Sequence, residues 1–144
     1  MKIALASDHA GFQVKETLKQ YLKEKGYQIT DCGTPTEDRS DYPDFGFKAA
    51  RLVSQGLVDW GVLICGSGAG MCMVANRLKG VRAVVLRNEN EAVLAREHND
   101  ANVACFGARL TDLETIKKLT NVFLGSPFGG GRHKQRVEKI DSQS

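Results

Sequence analysis

Short apolar runs alternate with amphipathic stretches along nearly the whole chain, and this rhythm restricts the possible fold more than any other feature. The apolar runs are continuous, which is typical of strands that are buried on both faces of a parallel sheet. Strands are predicted at residues 3–6, 27–30, 60–65, 81–86 and 102–106. Helices are predicted between and after them, at about 12–25, 45–54, 71–78, 89–98 and 112–124. The pattern predicts one doubly wound, Rossmann-like α/β domain over residues 1–144, with a five-stranded parallel sheet.

The C-terminal segment departs from this rhythm. Three glycines at 129–131 precede a basic stretch at 132–140, which predicts a flexible hinge and a short helix. This stretch has little apolar surface with which to pack on its own domain. We therefore expect a helical extension that reaches a partner subunit or closes over a ligand, with His133 exposed to solvent.

Composition restricts the location and the partners of the protein. The net charge of +3 is mild and the basic residues are scattered outside the C-terminal cluster, which disfavours nucleic-acid binding. No apolar run is long enough for a signal peptide or a membrane span. The four cysteines form neither a Cys-x-x-Cys pair nor a zinc spacing. We expect a cytoplasmic protein with reduced thiols and no metal, nucleic-acid or membrane partner.

The residues that directly follow the predicted strands are candidates for a binding site. In an open parallel sheet, ligands bind beyond the carboxyl ends of the strands, near the point where strand order reverses. The segments at these positions are Ser7-Asp8-His9, Cys65-Gly66-Ser67-Gly68-Ala69-Gly70, Arg87-Asn88 and Gly107-Ala108-Arg109. Together they are rich in groups that bind anions or transfer protons.

The glycine-rich loop at 66–70 joins a predicted strand to a predicted helix. Its backbone N–H groups, aided by the positive end of the helix, could hold either a phosphate or the oxyanion of an enediolate. The alternative is a tight turn that needs glycine only for packing. A dinucleotide site is disfavoured because Met71 occupies the place of the third fingerprint glycine. A tyrosine-phosphatase loop is excluded because it would need arginine at that same position.

Cys65 is the cysteine best placed for chemistry. It lies at the carboxyl end of a predicted strand and beside the start of a helix, an environment that favours the thiolate. The thiolate could act as a general base or as a nucleophile. Most buried cysteines only pack, and we expect no more from the other three, which are Cys32, Cys72 and Cys105.

Two histidines and two arginines complete the candidates. His98, followed by Asn99, ends a predicted helix, where it is either a proton shuttle or a cap of its own helix. His9 leaves similar alternatives open, although the adjacent Asp8 favours a site. Arg132 and Arg136 are four residues apart and would share one helical face. Their guanidinium groups suit a phosphate monoester, and the alternative is a solvated basic tail.

These residues together resemble the family of ribose-5-phosphate isomerase B, which also contains the galactose-6-phosphate isomerase subunits. The matching segments are Ser7-Asp8-His9-Ala10-Gly11, Asp41-Tyr42-Pro43, Cys65-Gly66-Ser67-Gly68, Ala75-Asn76-Arg77, Glu97-His98-Asn99-Asp100-Ala101-Asn102 and Gly130-Gly131-Arg132-His133. They occur in order over nearly the whole length of the chain. The resemblance implies a sugar phosphate as substrate and a homodimer, sometimes paired into a dimer of dimers, with each site built from two subunits.

The resemblance also implies a role for each candidate. Cys65 would be the base that moves a proton between C1 and C2 of the open-chain sugar, with Ser67 assisting. Backbone amides of the loop would hold the enediolate oxygen, from Gly66, Ser67, Gly68, Ala69 and Gly70. His98 would promote opening of the furanose ring, with Asp8 and Asn99 nearby. Tyr42 would line the sugar site, and the phosphate would be bound by His9, Arg109, Arg132 and Arg136. This chemistry requires no cofactor.

Two departures from the family pattern bear on the substrate. Ser67 stands where the members that use cysteine commonly have threonine, and serine is also usual in members with a glutamate base further on. The residues after Gly70 are Met71-Cys72-Met73, with no glutamate, which leaves Cys65 as the base. These larger residues could reshape the pocket, and isomerisation of a hexose 6-phosphate is the alternative to that of ribose 5-phosphate. The sequence leaves open two other classes, a non-catalytic sensor of a sugar phosphate or nucleotide and a redox flavoprotein.

Overall fold

The computed structural model describes residues 1–143 and has the predicted five-stranded parallel sheet with helices on both faces. The strands are β1 (Lys2–Ser7), β2 (Gln28–Asp31), β3 (Trp60–Cys65), β4 (Ala83–Val85) and β5 (Val103–Gly107). The helices are α1 (Phe12–Glu24), α2 (Tyr42–Ser54), α3 (Ala69–Ala75), α4 (Glu89–Glu97), α5 (Leu113–Gly125) and α6 (Arg132–Asp141), with a 3₁₀ turn at His9–Gly11. Within residues 1–143, no helix is long and apolar enough to cross a membrane.

The strand order β2-β1-β3-β5-β4 brings the carboxyl ends of β1, β3 and β5 together at the centre of the sheet. The order reverses between β1 and β3, because β2 and β3 lie on opposite sides of β1. It reverses again where the chain passes from β3 to the edge strand β4 and returns to place β5 between them. Such reversals open crevices at the carboxyl edge of a sheet, where ligands bind.

Two hydrophobic layers cover the sheet. One layer packs α1, α4 and α5 against alternate strand residues such as Leu5, Ile64 and Phe106. The other packs α2 and α3 against the intervening strand residues, among which are Cys65 and Cys105. Successive side chains of a strand point to opposite faces, so these two cysteines share the α2/α3 side of the sheet.

Several element boundaries differ from the predicted ones for local reasons. Helix α2 begins at Tyr42 and not at 45, because Pro43 is accepted in a first turn, where its missing N–H has no helical partner. Helix α3 ends at Ala75 because Asn76 turns toward β4: its Nδ2 donates to the Ala83 carbonyl at 2.9 Å, and the Ala83 N–H donates to its Oδ1 at 2.8 Å. Strand β4 begins late because the Val81 N–H donates to a turn carbonyl.

Helix α6 packs against its own chain, in contrast to the expectation from the sequence. Val137 is buried, and the Arg82 guanidinium binds the Asp141 carboxylate at 2.9 Å. The expectation that this segment has too little surface to pack on its own domain was therefore wrong. His133 is partly exposed, and its ring stacks on that of His98, a contact that was not expected from the sequence. Contact between this helix and a partner subunit stays a prediction.

Candidate active site

The Cys65 thiol is held between the end of β3 and the first turn of α3. The residue is 4% exposed, and its sulfur accepts a hydrogen bond from the Gly68 N–H at 3.2 Å. Gly68 has φ of 85°, a left-handed conformation that glycine adopts without strain. This turn lets the chain pass from strand to helix while keeping a backbone N–H directed at the sulfur.

Backbone contacts with the end of β5 fix the loop around the thiol. The Ala108 N–H donates to the Cys65 carbonyl at 2.8 Å, and the Arg109 N–H donates to the Gly66 carbonyl at 3.0 Å. A Cβ on Gly107 would lie 2.7 Å from the Ser67 backbone, closer than real contacts allow. The loop therefore approaches β5 in a way that only glycine at position 107 permits.

A cavity of about 410 Å³ opens beside the thiol. It is lined by Tyr42, Cys65, Gly66, Ser67, Gly70, Arg109 and Leu110. The Tyr42 ring lies against Gly70, where any Cβ would overlap it, and the Arg109 guanidinium lies against Gly66. The Ser67 hydroxyl accepts a hydrogen bond from the Ala69 N–H at 3.2 Å. A thiol, a hydroxyl, a phenol and a guanidinium thus border one cavity.

Asp8 and His9 lie at the neighbouring strand end. The Asp8 carboxylate is buried and caps the 3₁₀ turn, accepting from the N–H groups of Ala10 and Gly11 at 3.0 and 3.3 Å. The Asp8 N–H donates to the Ile64 carbonyl, next to Cys65 in the chain. The His9 Nδ1 accepts from the Ser40 N–H at 3.2 Å, which ties the loop before α2 to this edge.

His98 borders a second cavity, of about 340 Å³. The lining comes from the end of α4, the glycine hinge and the start of α6, namely Glu97, His98, Pro127, Gly129, Gly130, Gly131, Arg132 and His133. The His98 and His133 rings are stacked with centroids 4.3 Å apart and an interplanar angle of 14°. Burial, and then the proximity of His98 and of the guanidinium groups of Arg132 and Arg136, lower the pKa of His133.

Arg96 fixes the end of α4, a role that was missed in the sequence. Its Nη1 donates at 2.7 Å both to the Asp100 carboxylate and to the Ala101 carbonyl, and its Nε donates to the Ser126 carbonyl at 3.1 Å. Its guanidinium also lies 4.5 Å from the centre of the Trp60 ring. The available signal was its place four residues after the buried Ala92, on the apolar face of the predicted helix.

The structure brings some predicted residues together and separates others. Tyr42, Ser67 and Arg109 share the cavity of Cys65, whereas His98 and Arg132 share the second one. Asn99 lines a third cavity, of about 620 Å³, between the α3–β4 connection and α6. Arg136 is exposed on α6.

The Met71-Cys72-Met73 segment, which departs from the family pattern, lies outside the described lining of the Cys65 cavity. Met71 is fully buried and packs on Gly46, and Met73 is 69% exposed. Within residues 1–143, no cluster of three or more histidine, cysteine or acidic side chains is arranged to hold a metal ion.

Comparison with known proteins shows close relatives over almost the full chain. "Ribose-5-phosphate isomerase B" of Escherichia coli K12 is 45% identical over 139 residues, which cover 96% of this chain and 93% of that protein. The structure of Clostridium thermocellum ribose-5-phosphate isomerase B superposes with a TM-score of 0.97 at 42% identity, covering 99% of this chain and 97% of the other. The enzyme from Mycoplasma genitalium, solved with bound ribulose-5-phosphate, gives a TM-score of 0.95 at 40% identity, with 99% and 95% coverage.

The doubly wound fold and the relatives that share it define a sugar-phosphate isomerase. The model of the Ribose/Galactose Isomerase family matches residues 3–140, and the chain belongs to that family.

Proposed function

We propose that this chain interconverts ribose 5-phosphate and ribulose 5-phosphate, with Cys65 as the base. The observation that carries the proposal is the cavity in which the Cys65 thiol lies among backbone amides, a phenol and a guanidinium. The names of the relatives from Escherichia coli and Mycoplasma genitalium support the choice of the pentose.

The reaction needs one base that serves two neighbouring carbons. The Cys65 thiolate takes the proton from C2 of the open-chain aldose, the enediolate forms, and the thiol returns the proton to C1. A positioned base contributes on the order of 10²–10⁴-fold to such a step. Because the sulfur is nearly buried at a strand end, the base keeps one position while the proton moves between the two carbons.

The enediolate oxygen needs donors next to the thiol. The loop uses two of its N–H groups internally, since Gly68 donates to the Cys65 sulfur and Ala69 to the Ser67 hydroxyl. The Gly70 N–H is at the second position of α3, where a helix offers no acceptor to its own N–H groups. We assign the developing oxyanion to this amide with help from Gly66 and Ser67. Each well-aimed donor adds roughly 10²–10³-fold.

The remaining groups complete the site only if a second copy of the chain contributes them. Cys65 and His98 border separate cavities of one chain, although the resemblance assigns both to one reaction. We propose a homodimer, or a dimer of such dimers, in which His98, Asn99, Arg132 and Arg136 of one copy face the Cys65 cavity of the other. His98 would then open the furanose ring near Asp8. His9, Arg109 and the two α6 arginines would bind the phosphate.

Replacing the thiol tests the proposed base. We expect Cys65→Ala to lower the rate of ketose formation from ribose 5-phosphate by on the order of 10²–10⁴-fold. Binding of a phosphorylated sugar acid that mimics the enediolate should persist in this variant, as measured by calorimetry. Cys32→Ala is the matched control, because Cys32 is half-buried beyond β2 and should leave turnover unchanged. Full activity of Cys65→Ala would exclude the thiol as the base.

A hexose 6-phosphate is the second candidate substrate, because the name of the family to which the chain belongs includes both ribose and galactose. Comparing kcat/KM on ribose 5-phosphate, allose 6-phosphate and galactose 6-phosphate distinguishes them. A higher value on either hexose phosphate would overturn the choice of the pentose. Binding of all three without turnover would instead indicate a sensor.

A further inference from the structure

A pair of thiols lies behind the Cys65 loop. Cys72 on α3 is half-buried, and Cys105 on β5 is fully buried. The Cys72 sulfur lies 3.4 Å from the Ala83 carbonyl on β4, and Val85, two residues further along β4, pairs with Cys105 in the sheet. Both thiols therefore lie in the same layer next to the β4–β5 pair. This proximity follows from the fold, because Cys105 points toward the α2/α3 layer and α3 packs on that face of the sheet. Both cysteines were expected from the sequence only to pack.

The Cys72 sulfur has polar neighbours and lies close to a cavity. It accepts a hydrogen bond from the Asn76 side-chain amide at 3.5 Å and donates to the Ala83 carbonyl at 3.4 Å. Asn76 and Ala83 both line the cavity of about 620 Å³. The cavity thus reaches the two residues that contact the Cys72 sulfur. A small oxidant in the cavity would have to pass only Asn76 and Ala83 to reach that sulfur.

The two thiols differ in acidity, with Cys72 the more acidic one, as a pair made of an attacking and a resolving cysteine requires. The neighbouring Cys105 thiol is the main cause that lowers the pKa of Cys72 to about 7. Burial opposes this shift, and hydrogen-bond donors at Val85 and Asn76 lower the pKa further. Burial, and then the contact with Cys72, raise the pKa of Cys105 well above its ordinary value. Cys72 is thus the thiol of the pair that loses its proton more readily and becomes the nucleophile, while Cys105 stays a thiol.

We propose that Cys72 and Cys105 form a redox-active pair, which a hydroperoxide oxidises to a disulfide that links α3 to β5. In the first step the Cys72 thiolate attacks one peroxide oxygen and the O–O bond breaks, which gives a sulfenic acid and a hydroxide that takes up a proton. In the second step the Cys105 sulfur loses its proton and attacks the Cys72 sulfur, and the hydroxyl group leaves as water. Two thiols are oxidised and one hydrogen peroxide is reduced to two waters.

The other two cysteines provide internal comparisons. Cys32 is also half-buried, but burial and the neighbouring Asp31 carboxylate raise its pKa, so it should react slowly. Cys65 on β3 pairs with Gly107 on β5, and Gly107 lies two residues after Cys105. Because every second residue of a strand points to the same face, Cys65 and Cys105 lie on the same face of the sheet. Cys65 is thus the competing partner that an experiment has to distinguish.

A peptide map after mild oxidation tests the proposal. The reduced protein is exposed to hydrogen peroxide at pH 7, remaining thiols are alkylated, and the digest is analysed by mass spectrometry without reduction. We expect a linked Cys72–Cys105 peptide pair that lacks two hydrogen atoms. Loss of the free Cys72 thiol should be at least about tenfold faster than loss of Cys32.

Two variants separate the steps. In Cys105→Ala the disulfide cannot form, and we expect a Cys72 sulfenic acid that dimedone traps. In Cys72→Ala the buried Cys105 should remain a thiol. In Cys65→Ala the Cys72–Cys105 disulfide should still form, because its chemistry does not pass through Cys65.

Three results would overturn the proposal. These are a disulfide between Cys65 and Cys105, oxidation of Cys32 as fast as that of Cys72, and a Cys105 that stays free after Cys72 is oxidised in the wild-type chain. The peptide map of the wild type needs no variant to fold. Its readout is a mass and not a turnover, so its failure is distinct from failure of the proposed isomerase function.

Discussion

The Cys65 and His98 cavities are built by different means. Backbone contacts build the first, in which the ends of β3 and β5 are hydrogen-bonded to each other and glycines allow the close approach. Side chains build the second, in which Arg96 anchors the end of α4 and the His98 ring stacks on His133. The sheet itself therefore fixes the thiol, whereas the position of the histidine depends on helix packing. Substitutions at the first cavity should accordingly affect turnover, whereas substitutions at the second should affect stability and, where they displace His98, turnover as well.

The largest effect should come from removing the anchor of α4. Arg96→Met keeps an unbranched apolar side chain near Trp60 but removes the guanidinium donor of the Ala101 and Ser126 carbonyls and of one Asp100 oxygen, while Arg82 still binds the other Asp100 oxygen. Leaving a buried hydrogen-bonding group without its partner costs about 1–3 kcal/mol, so we expect a total loss of about 3 kcal/mol for the two carbonyls. Urea unfolding should show this loss in the free energy of unfolding.

Arg87→Met is the control for Arg96→Met. Arg87 is 71% exposed, precedes α4 and pairs with Glu91 in the first turn of that helix, and such surface pairs are worth about 0.5 kcal/mol. Equal losses in the two variants would contradict the anchoring role of Arg96.

A smaller effect is expected from disturbing the backbone of the thiol cavity. Gly107→Ala would place a Cβ 2.7 Å from the Ser67 backbone, which has to shift together with the loop. A displacement of about 1 Å near reacting atoms can lower turnover by roughly 10²-fold, so we expect a loss of that order in kcat, measured with ribose 5-phosphate. Gly125→Ala, at the end of α5, meets no atom within 4 Å and should keep full activity. Unchanged kcat in Gly107→Ala would show that the loop adapts.

The smallest effect concerns the stacked histidines. His133→Ala removes the ring on which His98 stacks, so it should lower kcat by up to about tenfold through a misplaced His98. His133→Phe keeps a ring in place and should restore most of the activity. Equal activity of the alanine variant and the wild type would exclude a positioning role for His133.

The same histidine should make stability depend on pH. The pKa of His133 is lower in the folded state than in the unfolded state, where it has the ordinary histidine value of about 6.5. Below that pH the unfolded chain therefore binds more protons than the folded chain. The contribution of neutral His133 to the free energy of unfolding is therefore complete above that pH, and it is lost as the pH falls toward the pKa of the folded state. His133→Phe should reduce the decline in unfolding free energy between about pH 7.5 and 5, and an unchanged decline would assign it to other groups.

The elements that are buried on both faces were predictable from sequence, and their arrangement was not. Strand β3 begins and ends where its continuous apolar run does, and Gly26 ends the first helix region as expected. The position of β5 between β3 and β4 was not predictable, because the apolar runs do not specify which strands are neighbours.

The site was predictable in its residue types but not in its grouping. The position of Cys65 followed from the rule that ligands bind at the carboxyl ends of parallel strands. The separation of His98 from Cys65 depends on where α4 ends and on how α6 folds back, which are tertiary contacts. The proximity of Cys72 and Cys105 could not be predicted for the same reason, since it brings a helix next to a strand thirty-three positions away.

Mixing two inactive variants tests most directly whether the two cavities of different copies form one site. Cys65→Ala and His98→Ala would each be inactive alone, and the differently tagged chains are dissociated, mixed in equal amounts and reassembled. Half of the dimers should then be hybrids with one intact site of two, which predicts about a quarter of wild-type turnover. Hybrid dimers that native mass spectrometry detects but that have no activity would contradict a site shared between two copies.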